Sequence, residues 1–283
     1  MDPQASLRIV IKDVLRKHMY DSAVLMAEKL TRYVGATVGD TVLFADCYFY
    51  SGQYRRCLAV LEQSGLLSAQ ILSEISELLH PSESACSSDP NYMDQFASNE
   101  NVFDKINAVH LGAKCLLALE EHDDCIGLLD TVLLSSVVTT SSADVPQQQV
   151  FHDIASVLQA QRRSEHLATV IESARALYHR RSAGEVNAVA GLYFITGKCY
   201  DMLDNRRQSL NMLVAALRVD MGCLEAAEHL VTNGLLSRAD ARECLRVLSQ
   251  RPADPCVCRD IMELFDFRSE RNHARAYLES YYL

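Results

Sequence analysis

The sequence predicts an all-α fold in which pairs of antiparallel helices repeat and stack into a right-handed superhelix, an α-solenoid. Its six prolines stand at positions 3, 81, 90, 146, 252 and 255, so the tracts 91–145 and 147–251 contain no helix breaker. Within these tracts apolar residues recur at three- and four-residue steps, which is typical of helices. One motif also returns after 34 residues. A nonrepeating helical bundle is the alternative.

The first two predicted helix pairs cover residues 7–34 and 41–64. The segment Gly52–Leu58 has a counterpart in His18–Val24, and equivalent positions are 34 residues apart. This is the period of the tetratricopeptide repeat, TPR, a unit of two antiparallel helices. Asp40 is expected to be the N-cap of the second pair's first helix. On this frame the residues that pack the two helices of a pair together are Tyr20, Ala23, Tyr48 and Cys57.

Two later pairs are predicted over residues 102–134 and 190–221, and further helices over 223–283. In the pair 102–134 we place Gly112 at the small position of the first helix, which leaves one residue too many in the following turn. A small residue at this position lets the second helix approach closely, so that the apolar faces stack. In the pair 190–221 the packing positions are Gly197, Tyr200, Ser209 and Ala216.

Two segments interrupt the predicted array, 80–100 and 135–149, and both are rich in Ser, Thr, Pro or Gln. Such composition is typical of mobile surface insertions. Helix pairs are predicted on both sides of each, so the whole of 1–283 is expected to form a single array. The sequence stops at Leu283 without the polar capping helix that a solenoid normally has. We therefore expect it to be the N-terminal part of a longer chain.

Composition and charge exclude several function classes. Acidic residues outnumber basic ones, 37 to 27, which gives a formal net charge of −10 and makes nucleic acid an improbable partner. The ten cysteines are spread along the chain with no secretory signal before them, so we expect reduced thiols and a nuclear and cytoplasmic location. The apolar runs are far shorter than the roughly 20 residues of a membrane span, so no membrane association is expected.

No arrangement of residues typical of catalysis occurs. The sequence has no glycine-rich phosphate loop, no HExxH, no GxSxG and no paired CxxC motif. Cys256 and Cys258 form the only close thiol pair, and without a second pair a zinc site is improbable. The sequence predicts a protein that is not an enzyme and that uses no cofactor or metal. Stoichiometric zinc would revive the enzyme hypothesis.

The function is then expected on the groove that the first helices of the pairs line. The residues at equivalent groove positions are Arg8 and Lys12, Val42 and Asp46, and Phe194 and Lys198. This is not the set of Lys and Asn residues that clamps a peptide carboxylate in co-chaperones. Val42, Phe49 and Tyr50 instead direct apolar area towards the groove, which suits an apolar helix lying in it.

The N-terminal helix is a candidate for the segment that fills this groove. It is apolar on more than one face, which exceeds what one intramolecular contact uses. A twofold clasp, in which the first helix of each copy enters the other's groove, would bury both surfaces. In the alternative, Ile9 and Val10 pack on the next helix of their own chain.

Two strings of the sequence resemble one TPR family in particular. Residues 197–206 read GKCYDMLDNR, and residues 112–115 read GAKC, ahead of Glu121 and His122. These strings resemble the sixth, TPR-type scaffold subunit of the anaphase-promoting complex. The insertions and the stop at Leu283 depart from that family's pattern.

The resemblance implies a noncatalytic component of a multisubunit ubiquitin ligase that acts in mitosis. Its N-terminal repeats would form a homodimer, and its later repeats would bind other subunits of the complex. The dimer contacts that it implies here are Leu7, Val10, Ile11, Val14, Val42, Asp46 and Phe49. The rival hypothesis is a monomeric TPR adaptor of chaperone or transport type that binds a linear peptide.

Overall fold

The computed structural model describes residues 3–79, 100–133, 170–176 and 187–237, with residues 239, 240, 242 and 246. Every regular element among these residues is a helix. The chain divides into two compact units, Met1–Ser135 with Ala176–Ala183, and Ser136–Arg175 with Gly184–Leu283. The insertions predicted over 80–100 and 135–149 lie outside the described residues, except for Glu100, where a helix begins. The helices expected beyond residue 246 lie outside them as well.

The first unit is built from paired helices. Where described, they are α1 (Pro3–Arg16), α2 (Tyr20–Thr31), α3 (Val38–Tyr50), α4 (Tyr54–Gln63), α5 (Ala69–Leu79), α6 (Glu100–Ala118) and α7 (His122–Leu133). Consecutive helices from α1 to α4 pack on one another, and α6 packs on both α3 and α4. α5, which the sequence-based frame did not include in any pair, packs on α6 and α7.

The turn inside each pair has the same backbone geometry. His18, Gly52 and Glu120 all have left-handed backbone, with φ of 59°, 75° and 62°. The next N–H in each turn, that of Met19, Gln53 and Glu121, donates to the carbonyl five residues earlier at 2.9 to 3.1 Å. This is the Schellman closure of a helix end. His18 and Gly52 are 34 residues apart and Gly52 and Glu120 are 68 apart, two periods, so the backbone repeats with the period of the sequence.

The position of Glu120 corrects the alignment of the third pair. Ala45 lies seven residues before Gly52, and the residue seven before Glu120 is Ala113. The placement of Gly112 at the small position was therefore wrong by one residue, and the turn contains no extra residue. Gly112 instead leaves room for the side chain of Leu67, a residue in the connection between α4 and α5. The Cδ1 atom of Leu67 would lie 3.1 Å from a Cβ added at Gly112.

The second helices of these pairs carry small residues at one equivalent position. Ala23, Cys57 and Cys125 occupy it, and all three are fully buried. The Sγ atom of Cys125 lies 3.5 Å from the carbonyl oxygen of Ala113 on the facing helix. Tyr48 is half-buried and packs against the core that contains Cys57. Tyr20, at the start of α2, is half-buried, with its hydroxyl 2.5 Å from His18 Nδ1.

The second unit contains the helical residues 170–175 and the helices α8 (Ala188–Met202), α9 (Arg206–Val219) and α10 (Leu224–Thr232). Asn187 caps α8 by accepting a hydrogen bond from Val189 N at 3.0 Å, and its Nδ2 donates to Ala174 O at 3.2 Å. Asp204 has φ of 58° in the turn between α8 and α9. This turn thus has a residue with left-handed backbone conformation, as the turns of the first unit do.

Close packing of α8 on α9 depends on a glycine. An added Cβ at Gly197 would lie 2.7 Å from Leu213 Cγ and 3.3 Å from its backbone nitrogen. Ser209 and Ala216 of α9 are fully buried, while Tyr200 of α8 is half-buried. Small side chains on both helices therefore allow the two backbones to approach.

Candidate interaction surface

Equivalent positions of α1, α3 and α6 form one face of the first unit. α3 packs against both α1 and α6, so the three helices lie side by side. We call this the first-helix face, and it comprises Arg8, Lys12, Val42, Asp46, Phe49, Tyr50, His110 and Lys114. Sequence reasoning missed His110 and Lys114, because an alignment on Gly112 would put the buried Val109 and Ala113 at their positions. The 68 residues between Cys57 and Cys125, two whole periods, are the signal that could have placed them.

Arg8 forms an ion pair within its own chain. Its Nε donates to Asp40 Oδ1 at 2.6 Å and its second nitrogen donates to Oδ2 at 2.8 Å. Asp40 also accepts from the backbone N–H of Thr37 at 2.8 Å. Burial alone would raise the pKa of the Asp40 carboxyl, but the hydrogen bonds from Arg8 and Thr37 hold it below its usual value. Arg8 therefore links α1 to the start of α3.

Asp40 was expected to be the N-cap of α3, and that expectation was wrong. Thr37 is the N-cap, its side chain accepts from Asp40 N, and Asp40 returns a hydrogen bond to the Thr37 backbone in a capping box. Asp40 thus occupies the third helical position, where a carboxylate also interacts favourably with the helix dipole.

A row of alternating charges crosses the first-helix face. Lys12, Asp46 and Lys114 stand at equivalent positions of the three helices, 34 and 68 residues apart. Among the described residues the Asp46 carboxylate has no hydrogen bond and no ion pair, although Lys114 and Lys12 act on it through space. Burial raises the pKa of Asp46 to about 6 against the opposing effect of the two lysines.

Aromatic side chains surround this row. The Lys114 ammonium lies over the Phe49 ring, 5.4 Å from its centroid, and Phe49 also packs against Tyr50 and Tyr54. Burial, and secondarily the charge of Lys114, lowers the pKa of His110 to about 4, so this histidine is neutral at pH 7. Tyr50 is 56% exposed. The face therefore combines apolar rings with two lysines and one acid.

The structure divides the N-terminal helix into a buried and an exposed side. Ile11 and Val14 lie in the core formed with α2, and Leu7 packs against that core. Ile9 and Val10 are 68% and 44% exposed. In the part of the chain that the structure describes, neither side chain is buried against α2. Val42 is buried, while Asp46 and Phe49 are half-buried, so the residues of the implied dimer contact differ in how much surface they offer.

The equivalent face of the second unit has its own polar cluster. Lys198 lies over the ring of Phe194, 5.7 Å from its centroid, and that ring packs edge-on against His229. His229 Nε2 is 3.1 Å from Asp201 Oδ2, which also accepts from Asn233. Burial lowers the pKa of His229, partly opposed by Asp201. Asp201 thus has partners within its own unit, unlike Asp46.

The six cysteines among the described residues are buried free thiols, namely Cys47, Cys57, Cys115, Cys125, Cys199 and Cys223. Burial raises the pKa of Cys47 and that of Cys223 to about 12, which makes these thiols unreactive. No group of three metal-ligating side chains occurs in the described part of the chain. In the same part, no helix has the length and apolar character that crossing a bilayer requires.

Comparisons with known proteins point to one assembly. The model of the family "Anaphase-promoting complex, cyclosome, subunit 3" matches residues 16–73, about a fifth of the chain. The curated protein "Anaphase-promoting complex subunit 6" of Arabidopsis thaliana is 23% identical over 248 residues, which cover 88% of this chain and 34% of that relative. The chain therefore spans about a third of this relative's length.

A solved structure extends the similarity to the fold. A chain of the "Crystal structure of APC/C hetero-tetramer Cut9-Hcn1" matches with a TM-score of 0.52 and 17% identity, over 99% of this chain and 40% of that one. The prediction of an all-α fold of TPR-type helix pairs is thereby confirmed. The chain has this fold and is similar over most of its length to a subunit of the anaphase-promoting complex.

Proposed function

We propose that this chain is a noncatalytic scaffold subunit of an anaphase-promoting complex, that it corresponds to the sixth subunit, and that it acts in mitosis in the nucleus and cytoplasm. The similarity to subunit 6 over 88% of the chain supports this. We further propose that residues 1–283 form a single TPR array, that its first two helix pairs mediate self-association, and that it binds other subunits of the complex. No cofactor enters this function.

The observation that carries the self-association is the apolar surface left on α1. Ile9 and Val10 are exposed on α1. The opposite side of this helix, which carries Ile11 and Val14, is already buried in the core. Exposed apolar side chains next to each other are costly in water and mark contact surfaces. The first-helix face, with the half-buried Phe49 and the exposed Tyr50, offers apolar area of the kind that would cover them.

A twofold contact satisfies both surfaces at once. Each copy has one α1 and one first-helix face, so two copies can exchange the same contact and close the assembly. In this arrangement Ile9 and Val10 make the contact, and Leu7, Ile11 and Val14 support α1 from behind. Asp46 and Phe49 belong to the receiving surface, and the buried Val42 supports it from beneath.

Static light scattering tests this proposal on the whole chain. The monomer mass is 31.6 kDa, and at tens of micromolar we expect about twice that value. Val10→Asp should return the monomer mass, because a charge would then be buried in the contact. Leu203→Asp is the matched control, since Leu203 is 43% exposed and Val10 44%. It should leave the dimer intact.

A monomeric wild-type chain at these concentrations would refute the self-association. Phe49→Asp on the receiving surface provides a second variant. Since Phe49 is half-buried, its thermal unfolding should be compared with that of the wild type before its mass is interpreted.

A monomeric adaptor that binds a linear peptide is the second candidate, and the charged row favours it. Lys12 and Lys114 have no ion pair among the described residues, and a peptide could supply one. This function predicts a monomer that binds an acidic linear peptide in a pull-down, with loss of binding in Lys114→Glu. A dimer whose formation blocks that peptide would favour the scaffold instead.

A further inference from the structure

The exposed side of α1 carries one acidic side chain between its two exposed apolar ones. Asp13 follows Ile9 by four residues and Val10 by three, so all three lie on the same side of the helix. Asp13 is the sole acid of α1, which also carries Arg8, Lys12 and Arg16. The apolar contact that we propose for Ile9 and Val10 therefore brings Asp13 with it.

Asp13 is available for a new partner. In its own chain it pairs with Lys17, at 2.6 Å between Oδ2 and Nζ, and the two side chains are 54% and 62% exposed. Such an exposed pair one helical turn apart contributes little to stability. Little stability is therefore lost when Asp13 leaves Lys17, and the attraction within the new pair must offset the desolvation of the two charges.

The first-helix face lacks one negative charge. Arg8 is neutralised by Asp40, and His110 is neutral at pH 7. Lys12 and Lys114 then stand against Asp46 alone, although the protein as a whole is strongly acidic. One added carboxylate would balance the face, whereas a basic side chain would be repelled.

Lys114 is the lysine placed to receive that carboxylate. It lies half-buried over the Phe49 ring, in the apolar part of the face. Lys12 is exposed and belongs to α1 itself. A helix that set Ile9 and Val10 against Phe49 would carry the Asp13 carboxylate, one turn further along, towards Lys114.

We propose that Asp13 of one copy forms an ion pair with Lys114 of a second copy, and that this pair fixes the register of α1 on the first-helix face. The inference rests on the self-association proposed above. Charge pairs across an interface select the orientation of the partners and exclude arrangements with like charges opposed. Asp13 thereby determines which way α1 enters the face.

A charge exchange tests the pair. The dissociation constant of the dimer is measured by sedimentation equilibrium for Asp13→Lys, for Lys114→Glu and for the double variant. Each single change should raise it about tenfold or more, because it opposes like charges. The double variant restores the pair in reverse and should return to within about threefold of the wild type.

Two matched controls isolate the position from the charge. Glu62→Lys and Lys29→Glu make the same exchanges at exposed residues on α4 and α2, the second helices of their pairs. They should leave the dissociation constant unchanged within about twofold. Thermal unfolding of every variant verifies that it is folded.

The outcomes separate the two proposals. If the wild type dimerises and Val10→Asp disrupts it, but Asp13→Lys behaves like Glu62→Lys, the ion pair is refuted and the self-association stands. If both single variants weaken the dimer and the double variant weakens it further, the two residues do not pair. A monomeric wild type overturns both proposals together.

Discussion

Gly197 shows how one residue sets the distance between two helices. A Cβ there would lie 2.7 Å from Leu213 Cγ, a distance that real side chains do not tolerate without movement. Leu213 belongs to the fully buried core of α9 and has a backbone nitrogen 3.3 Å away. The strain therefore cannot be relieved by the side chain alone.

Gly197→Ala should lower the free energy of unfolding by about 1–3 kcal/mol through overpacking. The higher helix propensity of alanine, worth up to about 1 kcal/mol, opposes this loss. Gly127 in α7 is the control, since nothing lies within 4 Å of its added Cβ, and Gly127→Ala should be neutral or stabilising. Urea unfolding measures both. Equal effects of the two variants would show that α8 and α9 can separate freely.

The two glycines that we placed at small positions illustrate what sequence reveals at this scale. Gly197 stands in a pair that follows the repeat without gaps, and the structure places it against Leu213. We assigned Gly112 to the same small position only because glycine is small. Its partner, Leu67, belongs to the connection between α4 and α5, a contact that no local spacing encodes.

At the level of the helix, Asp40 joins two elements that are distant in sequence. It closes the capping box of α3 with Thr37 and receives two hydrogen bonds from Arg8 of α1, 32 residues earlier. The Thr-x-x-Asp spacing of the box was present in the sequence and could have been recognised. Arg8 could not, because its distance from Asp40 depends on how α1 packs.

The stability of the α1–α3 contact should depend on pH. The pKa of Asp40 lies below its unfolded value, so its contribution is complete above about pH 4 and is lost as the pH falls through the folded pKa. Asp40→Asn should lower the free energy of unfolding by about 1–3 kcal/mol at pH 7 and flatten its decline in acid. Glu28→Gln, at the exposed pair with Arg32, is the control. Parallel acid profiles of wild type and Asp40→Asn would contradict this role.

At the level of whole helices, α5 is what the repeat could not predict. It falls between the predicted pairs and packs on α6 and α7. Periodicity identifies helices that repeat, because each repeat uses the same small and large positions. α5 lies outside the predicted pairs, and only the tertiary contacts show which of its sides is packed.

For the molecule as a whole, the proposed function concerns an assembly. Residues 1–283 span about a third of the Arabidopsis relative, and the scaffold role is tested on the protein as its own cells make it. The tagged full-length protein, purified from its own cells in mitosis, should recover a large complex that attaches ubiquitin to a mitotic substrate. Recovery of the protein alone, at the mass of one or two copies, would contradict the scaffold role.

The buried cysteines of this protein can report the local unfolding of its helix pairs. A small alkylating reagent can reach Cys47, Cys57 or Cys125 only when a helix pair of the first unit comes apart, and Cys199 or Cys223 only when the second unit does. The rate at which each cysteine is alkylated, measured on its own peptide by mass spectrometry, would therefore show how often each unit opens locally. No foreign probe has to be introduced.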